Sequence, residues 1–182
     1  MILGVVGSHA SGKDTVAEYL AKKGWNHYSL SDEIRLELDA RGLEKDRDSH
    51  RIVANDMRAT IGHDVFAQKV IARMEGVEGN STIVSIRNVD EAKTLQELDD
   101  FYLIAVDAPI EIRYARTQER MGERDHVSFE EFKKQEQLEM TTDPNGMHLH
   151  TLLKMAEYTI DNGGTEDEFY TQIDILVDKF RS

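Results

Sequence analysis

Apolar and polar positions in this chain alternate between two rhythms. Short apolar runs, the mark of buried strands, occur at Ile2 to Val6, Trp25 to Leu30, Ser81 to Ile86, Phe101 to Val106 and Tyr158 to Asp161. Helical spacing fills the intervals: from Val16 onward, in a charged region from Ser31 to about Met74, from Val89 to Leu98, from Ile110 to about Met140, and from Glu166 to Phe180. Gly24 stops the first helix, Gly122 breaks the long one, and Asp143-Pro144-Asn145-Gly146 is a turn. Ser128 and Glu131 have the spacing of a capping box, which restarts a helix at Phe129. Strand and helix in alternation predict an α/β fold: three layers around a mostly parallel, five-stranded sheet, with ligands beyond the carboxyl ends of the strands.

The first strand leads directly into Gly7-Ser8-His9-Ala10-Ser11-Gly12-Lys13-Asp14-Thr15. A glycine, four residues and Gly-Lys between a strand and a helix make a P-loop. Its glycines let successive backbone N–H groups converge, the helix adds the positive end of its dipole, and Lys13 adds a full charge. This makes Gly7 to Thr15 the site for the phosphates of ATP or GTP. The strict pattern has Ser or Thr after the lysine, and here Asp14 stands there with Thr15 following. A carboxylate beside a triphosphate calls for a cation between them, so Asp14 reads as a magnesium ligand and Thr15 as a hydroxyl donor to a phosphate. Asp14 also suits the first turn of a helix, and the two readings are compatible.

Length and composition narrow the classes. The 182 residues suffice for one domain with a three-layer core, and the chain has no cysteine, so disulfides and thiolate metal sites are excluded. The N-terminal apolar run is too short for a signal peptide or a membrane span, and the cytoplasm is the expected location. A formal net charge of −13 argues against nucleic-acid polymers and anionic membranes as partners. A small nucleotide is the expected partner, and the charge leaves oligomeric state open. A protein this acidic must gather arginines locally to hold a polyanion.

Two gatherings stand out. Asp32 and Arg35 follow the second strand and Arg87 follows the third, on the sheet edge that carries the P-loop. Arg35 and Arg87 can clamp a second anion there, with Arg58 as a further candidate. Arg35 also reads as an ordinary surface arginine paired with a neighbouring acid. Arg113, Arg116, Arg120 and Arg124 share one helical face beside the packing positions Ile110, Tyr114, Thr117 and Met121. Such a stripe is either a solvated face or a mobile lid that carries Arg116, Arg120 and Arg124 onto transferring phosphoryl oxygens. His148 and His150, two residues apart, point in different directions on a helix and make no metal site.

Gly7 to Thr15, Ser31-Asp32 with Arg35, Arg87 with Glu91, the arginine stripe and Asn162-Gly163-Gly164 together resemble the P-loop nucleoside monophosphate kinase superfamily. Within it the chain is most similar to archaeal-type proteins related to dephospho-CoA kinase and adenylate kinase. Gly-Lys-Asp-Thr and Ser85-Ile86-Arg87 also resemble phage-type deoxynucleoside monophosphate kinases. The resemblance covers nearly the whole chain. It implies a P-loop NTPase fold, ATP and Mg²⁺ at Gly7 to Thr15, acceptor binding at about 31–75, a lid at about 116–140, and Asn162 and Gly163 near the adenine. The chain departs from those families where they carry a third-strand aspartate. Val84 and Ser85 stand near that position, and Asp14 or Asp107 would have to compensate.

The chemistry of the acceptor separates the possible activities. A phosphate acceptor needs clamping arginines and no base, whereas an alcohol such as dephospho-CoA gains from a carboxylate such as Asp32. The arginines point to transfer of the γ-phosphate of ATP to a nucleoside or deoxynucleoside monophosphate. Dephospho-CoA kinase is the alternative within the same class. A nucleotide-binding switch without turnover is the alternative outside it, although the sequence lacks the Asn-Lys-x-Asp guanine motif.

Overall fold

A computed structural model describes residues 1–120, 127–139 and 148–181. Strand β1 (Ile2–Gly7) leads into helix α1 (Lys13–Lys22) and strand β2 (Asn26–Ser29). Helices α2 (Leu30–Arg41), α3 (Arg47–Thr60) and α4 (Val65–Met74) follow, then β3 (Ser81–Val84), α5 (Val89–Gln96) and β4 (Phe101–Asp107). The chain continues through α6 (Ile110–Arg120), α7 (Phe129–Glu139), α8 (Leu149–Met155), β5 (Tyr158–Asp161) and α9 (Glu166–Arg181). All strands are parallel in the order β2-β3-β1-β4-β5. The expected α/β three-layer fold is the one observed.

The strands are apolar on both faces because both are covered. Along β4, Phe101, Leu103 and Ala105 join the core beneath α2–α5 and α8, while Ile104 and Val106 join the core beneath α1 and α9. β1 divides likewise, with Val6 on the first side and Leu3 and Val5 on the second. β1 lies between β3 and β4, so the chain leaves it on one side and later returns on the other. That reversal opens a crevice at the carboxyl end of β1, where the P-loop begins.

Several boundaries differ from the sequence reading. β2 is shorter at both ends, since Trp25 N–H closes onto the Leu20 carbonyl (3.1 Å) and Leu30 begins α2. The charged region from Ser31 is three helices. The first ends where Leu43 N–H reaches back to the Leu38 carbonyl (3.0 Å), and Asp46 caps the second by accepting from Ser49 N–H (2.8 Å). β3 stops at Val84 because Ser85 turns to φ 64°. Helix α8 had no counterpart in the reading. Its seven residues are too few to show a period, and Leu149 and Leu152 are buried against the sheet. Ser128 does stand at the start of α7, its hydroxyl accepting from Glu131 N–H (3.2 Å). Among the described residues, no helix is long and apolar enough to cross a membrane. The turn Asp143 to Gly146, Met121, Gly122 and Arg124 lie outside the described residues, as does the side chain of Arg120.

Candidate functional site

The P-loop is a closely fitted turn. Ser11 N–H returns to the Ser8 carbonyl (3.2 Å), and Val16 N–H to the Gly12 carbonyl (3.2 Å) as α1 begins. Ala10 at φ 59° and Gly12 at φ 103° bend the backbone so that the loop curls above the helix N-terminus. A Cβ on Gly12 would come within 2.1 Å of the Asn162 amide nitrogen, and one on Gly7 within 2.5 Å of the Val106 carbonyl. Neither position has room for a side chain. Ser8 and Ser11 are buried, and the Ser11 hydroxyl has no protein partner.

Asn162, just after β5, holds this loop from the far side. Its side-chain amide donates to the Ser11 carbonyl (2.8 Å), and its backbone N–H donates to the Asp107 carbonyl (2.7 Å). Arg116 of α6 completes the link by donating Nη2 to the Asn162 backbone carbonyl (2.9 Å) and side-chain oxygen (3.2 Å). The Nη1 of Arg116 is buried with no protein partner. Asn162 is therefore bound to the P-loop by its own amide, with Arg116 behind it. Gly163 N–H turns back to the Asp161 carboxylate (2.9 Å). Asn162 and Gly163 thus sit beside the phosphate loop.

Gly7, His9 and Lys13 line a small cavity of about 70 Å³ together with Ser85, Ile86, Arg87, Leu149 and Leu152. Ser85 and Arg87 also line a second, larger cavity of about 560 Å³ between α2, α3, the start of α4 and the β3–α5 turn. Its walls include Ser31, His50, Asn55, Arg58, Phe66 and Glu91. Lys13 and Arg87 therefore face one space, and Arg87 and Arg58 face the next.

Glu91 organises the larger cavity. It is fully buried, and one carboxylate oxygen accepts from Arg87 N–H (2.9 Å) and Asn88 N–H (3.0 Å). Asn88 accepts in turn from Asp90 N–H (2.9 Å), so a capping box sets the turn that carries Arg87. The other carboxylate oxygen takes Arg58 Nη2 at 3.0 Å, and the Arg58 guanidinium lies 5.0 Å from the centre of the Phe66 ring. Arg58 Nε is buried and unpartnered. His50 sits in the same wall. Burial holds its pKa below the ordinary value, and the charges of Arg87, Arg35 and Arg58 push in the same direction.

Other sequence candidates fall elsewhere. Asp32 and Arg35 form a half-exposed ion pair with each other, and neither lines the cavity that Ser31 lines. Arg113 is buried, donating to the Glu136 carboxylate of α7 (Nη2, 2.9 Å) and the Ala108 carbonyl (2.8 Å). It fastens α7 to α6, and the buried Thr117 beside it donates to the Arg113 carbonyl (2.9 Å). His50 and Asn55 were missed as cavity residues. For Glu91 the sequence held a signal, since Asn88 and Glu91 have capping-box spacing.

The oxygen donors around the loop fit magnesium brought in by phosphates. Asp14 is exposed on the first turn of α1 and Thr15 is half-buried beside it. Among the described residues, no cluster of three or more carboxylates and histidines could hold a metal without a ligand. Magnesium there would neutralise charge between the phosphates and Asp14.

A parallel sheet with a Gly-Lys loop at its switch point defines a P-loop NTPase. The chain belongs to the AAA domain family of such proteins, whose model matches residues 3–141. It is 32% identical over 162 residues to the UPF0200 protein of Pyrobaculum aerophilum, covering 88% of this chain and 87% of that one. It is 30% identical over 177 residues to the UPF0200/UPF0201 protein of Archaeoglobus fulgidus. That match takes in 94% of this chain and 53% of that longer protein, so the chain spans about half the length of that relative. The fold is also that of a shikimate kinase from Bacteroides thetaiotaomicron (TM-score 0.60, 9% identity, 100% of this chain and 99% of that one). The molecule is a P-loop protein with a kinase-like fold.

Proposed function

We propose that the protein is an ATP-dependent phosphotransferase that moves the γ-phosphate to a nucleoside or deoxynucleoside monophosphate. The observation that carries this reading is the shared position of Arg87, which lines the Lys13 cavity and the larger cavity alike. A phosphate donor on the loop and an anionic acceptor beside Arg58 would meet at that residue. In phosphoryl transfer the protein acts mainly by positioning and by neutralising charge. The cavity walls drawn from α2, α3 and Phe66 support residues 31–75 as the acceptor region. Arg116, Arg120 and Arg124 remain the proposed phosphate-facing arginines of a lid at about 116–140.

The larger cavity favours an anion over an alcohol. Asp32, the candidate base, is paired to Arg35 outside its walls, and the Glu91 carboxylate is spent on Arg58 and two backbone N–H groups. A switch without turnover is favoured by one feature, the absence of a carboxylate at Val84 and Ser85. A coupled assay with Mg-ATP across nucleoside and deoxynucleoside monophosphates plus dephospho-CoA tests all three readings. Turnover of at least one monophosphate is expected, lost in Lys13→Ala and reduced in Arg87→Ala with ATP affinity retained. Consumption of dephospho-CoA alone would give the alcohol reading, and no turnover the switch.

A further inference from the structure

Ser85 holds a backbone conformation that L residues avoid, at φ 64°, between the two cavities and lining both. Non-glycine residues pay for a left-handed conformation in strain, and residues kept there cluster at functional sites. Glycine would make the same turn without strain, so the serine side chain needs its own explanation. Packing does not supply one, because Ser85 is only half-buried. The hydroxyl does have a fixed neighbour. Ser29, buried at the carboxyl end of β2, shares a hydrogen bond with Ser85, Oγ to Oγ at 3.0 Å. Either hydroxyl can donate in this pair, and when an acceptor stands beside Ser85 the hydroxyls can rotate so that Ser29 donates to Ser85 and Ser85 donates onward. The space beside it is bounded by Lys13 and Arg87 on one side and by Arg58 and His50 on the other. That is a place for anionic oxygen.

Resting on the phosphotransferase reading, we propose that Ser85 donates its hydroxyl hydrogen to an oxygen of the phosphoryl group as it passes from ATP to the acceptor. The bond between γ-phosphorus and the β–γ bridging oxygen breaks, and ADP leaves with that electron pair. The new bond forms from an oxygen of the acceptor phosphate. The Ser85 proton stays on serine throughout, so the residue is a neutral donor to charge that is spread over the transferring oxygens. A neutral donor suits a junction already rich in cationic side chains, and the bond to Ser29 holds the Ser85 oxygen in place.

Ser85→Gly and Ser85→Ala separate the hydroxyl from the turn. Both remove the donor, while only glycine relieves the strain. Both should lower kcat by about 10- to 100-fold, with Mg-ATP affinity by calorimetry within about twofold of wild type. Ser85→Gly should nevertheless melt about 2–4 °C above Ser85→Ala. Wild-type kcat in Ser85→Gly, or kcat that follows melting temperature across the two variants, would overturn the proposal. If the wild-type protein phosphorylates no acceptor, the phosphotransferase reading fails separately. Ser85 is then read from slow hydrolysis of ATP by water, where the same group departs past the same hydroxyl. The two variants must slow that hydrolysis as well, and an unchanged rate would sink the assignment.

Discussion

The two ends of the crevice are built by different means. At the P-loop the fixing contacts run between neutral groups: Asn162 to the Ser11 carbonyl, Asn162 N–H to the Asp107 carbonyl, Ser11 N–H to the Ser8 carbonyl. Beyond Lys13 of the loop itself, a charged side chain reaches this network through Arg116, which donates to Asn162. In the larger cavity the fixing contact is an ion pair between the buried Glu91 and the part-buried Arg58, and the same carboxylate holds the backbone that presents Arg87. Neutral contacts are local, shape-dependent and indifferent to pH. A buried carboxylate binds several groups at once, so losing it disturbs all of them together. The P-loop end is thus robust and the larger cavity conditional.

Removing Glu91 tests that contrast most severely. Glu91→Ala leaves the part-buried Arg58 without its partner and takes the cap from α5. The expected cost is about 3–5 kcal/mol, a fall in melting temperature on the order of 10 °C. If the cost comes from the stranded guanidinium, Arg58→Met combined with Glu91→Ala will be less destabilised than the sum of the single changes. Strict additivity in that cycle, read by urea unfolding, would mean that the pair does not hold the wall.

The same contrast explains what the sequence could disclose. The P-loop is contiguous, so Gly7, Gly12 and Lys13 could be read directly, and the strands showed as apolar runs because parallel strands are buried on both faces. The larger cavity draws its walls from residues between Leu30 and Glu91 on several elements, and no local pattern brings His50 beside Arg87. One local rule was available and pointed the other way. An acid and an arginine three apart on a helix pair with each other, and Asp32 and Arg35 do so. The arginine stripe was legible only in part for a related reason. Helical spacing placed Arg113 correctly on α6, but its partner Glu136 lies on another helix.

At the P-loop end, Asn162→Ala removes one neutral hydrogen bond to the loop and the weaker of the two bonds from Arg116, while the one to the backbone carbonyl stays. A stability loss of about 1–2 kcal/mol is expected. Mg-ATP binding should weaken by about tenfold, because the loop must then be ordered by the ligand. Acceptor affinity should hardly change, since Asn162 lines neither cavity. Parallel loss of affinity for donor and acceptor, measured by calorimetry, would erase the distinction drawn between the two ends.

The smallest effect is a proton. His50 titrates below its ordinary value of 6.5, chiefly because it is buried and secondarily because Arg87, Arg35 and Arg58 repel its charged form. A hydrogen bond between His50 and the backbone of Ser31, on α2, opposes this shift. With the folded pKa depressed, the unfolded chain takes up the proton first. The stability that neutral His50 contributes is therefore complete above pH 6.5 and is lost as pH falls through the folded pKa. An anion bound beside Arg58 and Arg87 cancels part of the repulsion and raises the pKa. Binding then takes up a fraction of a proton, and acceptor affinity should rise by a few-fold between about pH 8 and pH 6. ATP at the P-loop should show no such slope from this group. NMR titration of His50 with and without a nucleoside monophosphate measures the shift directly, and His50→Gln should flatten the affinity profile. A His50 resonance whose midpoint stays put on addition of the monophosphate would place the acceptor anion away from Arg58 and Arg87.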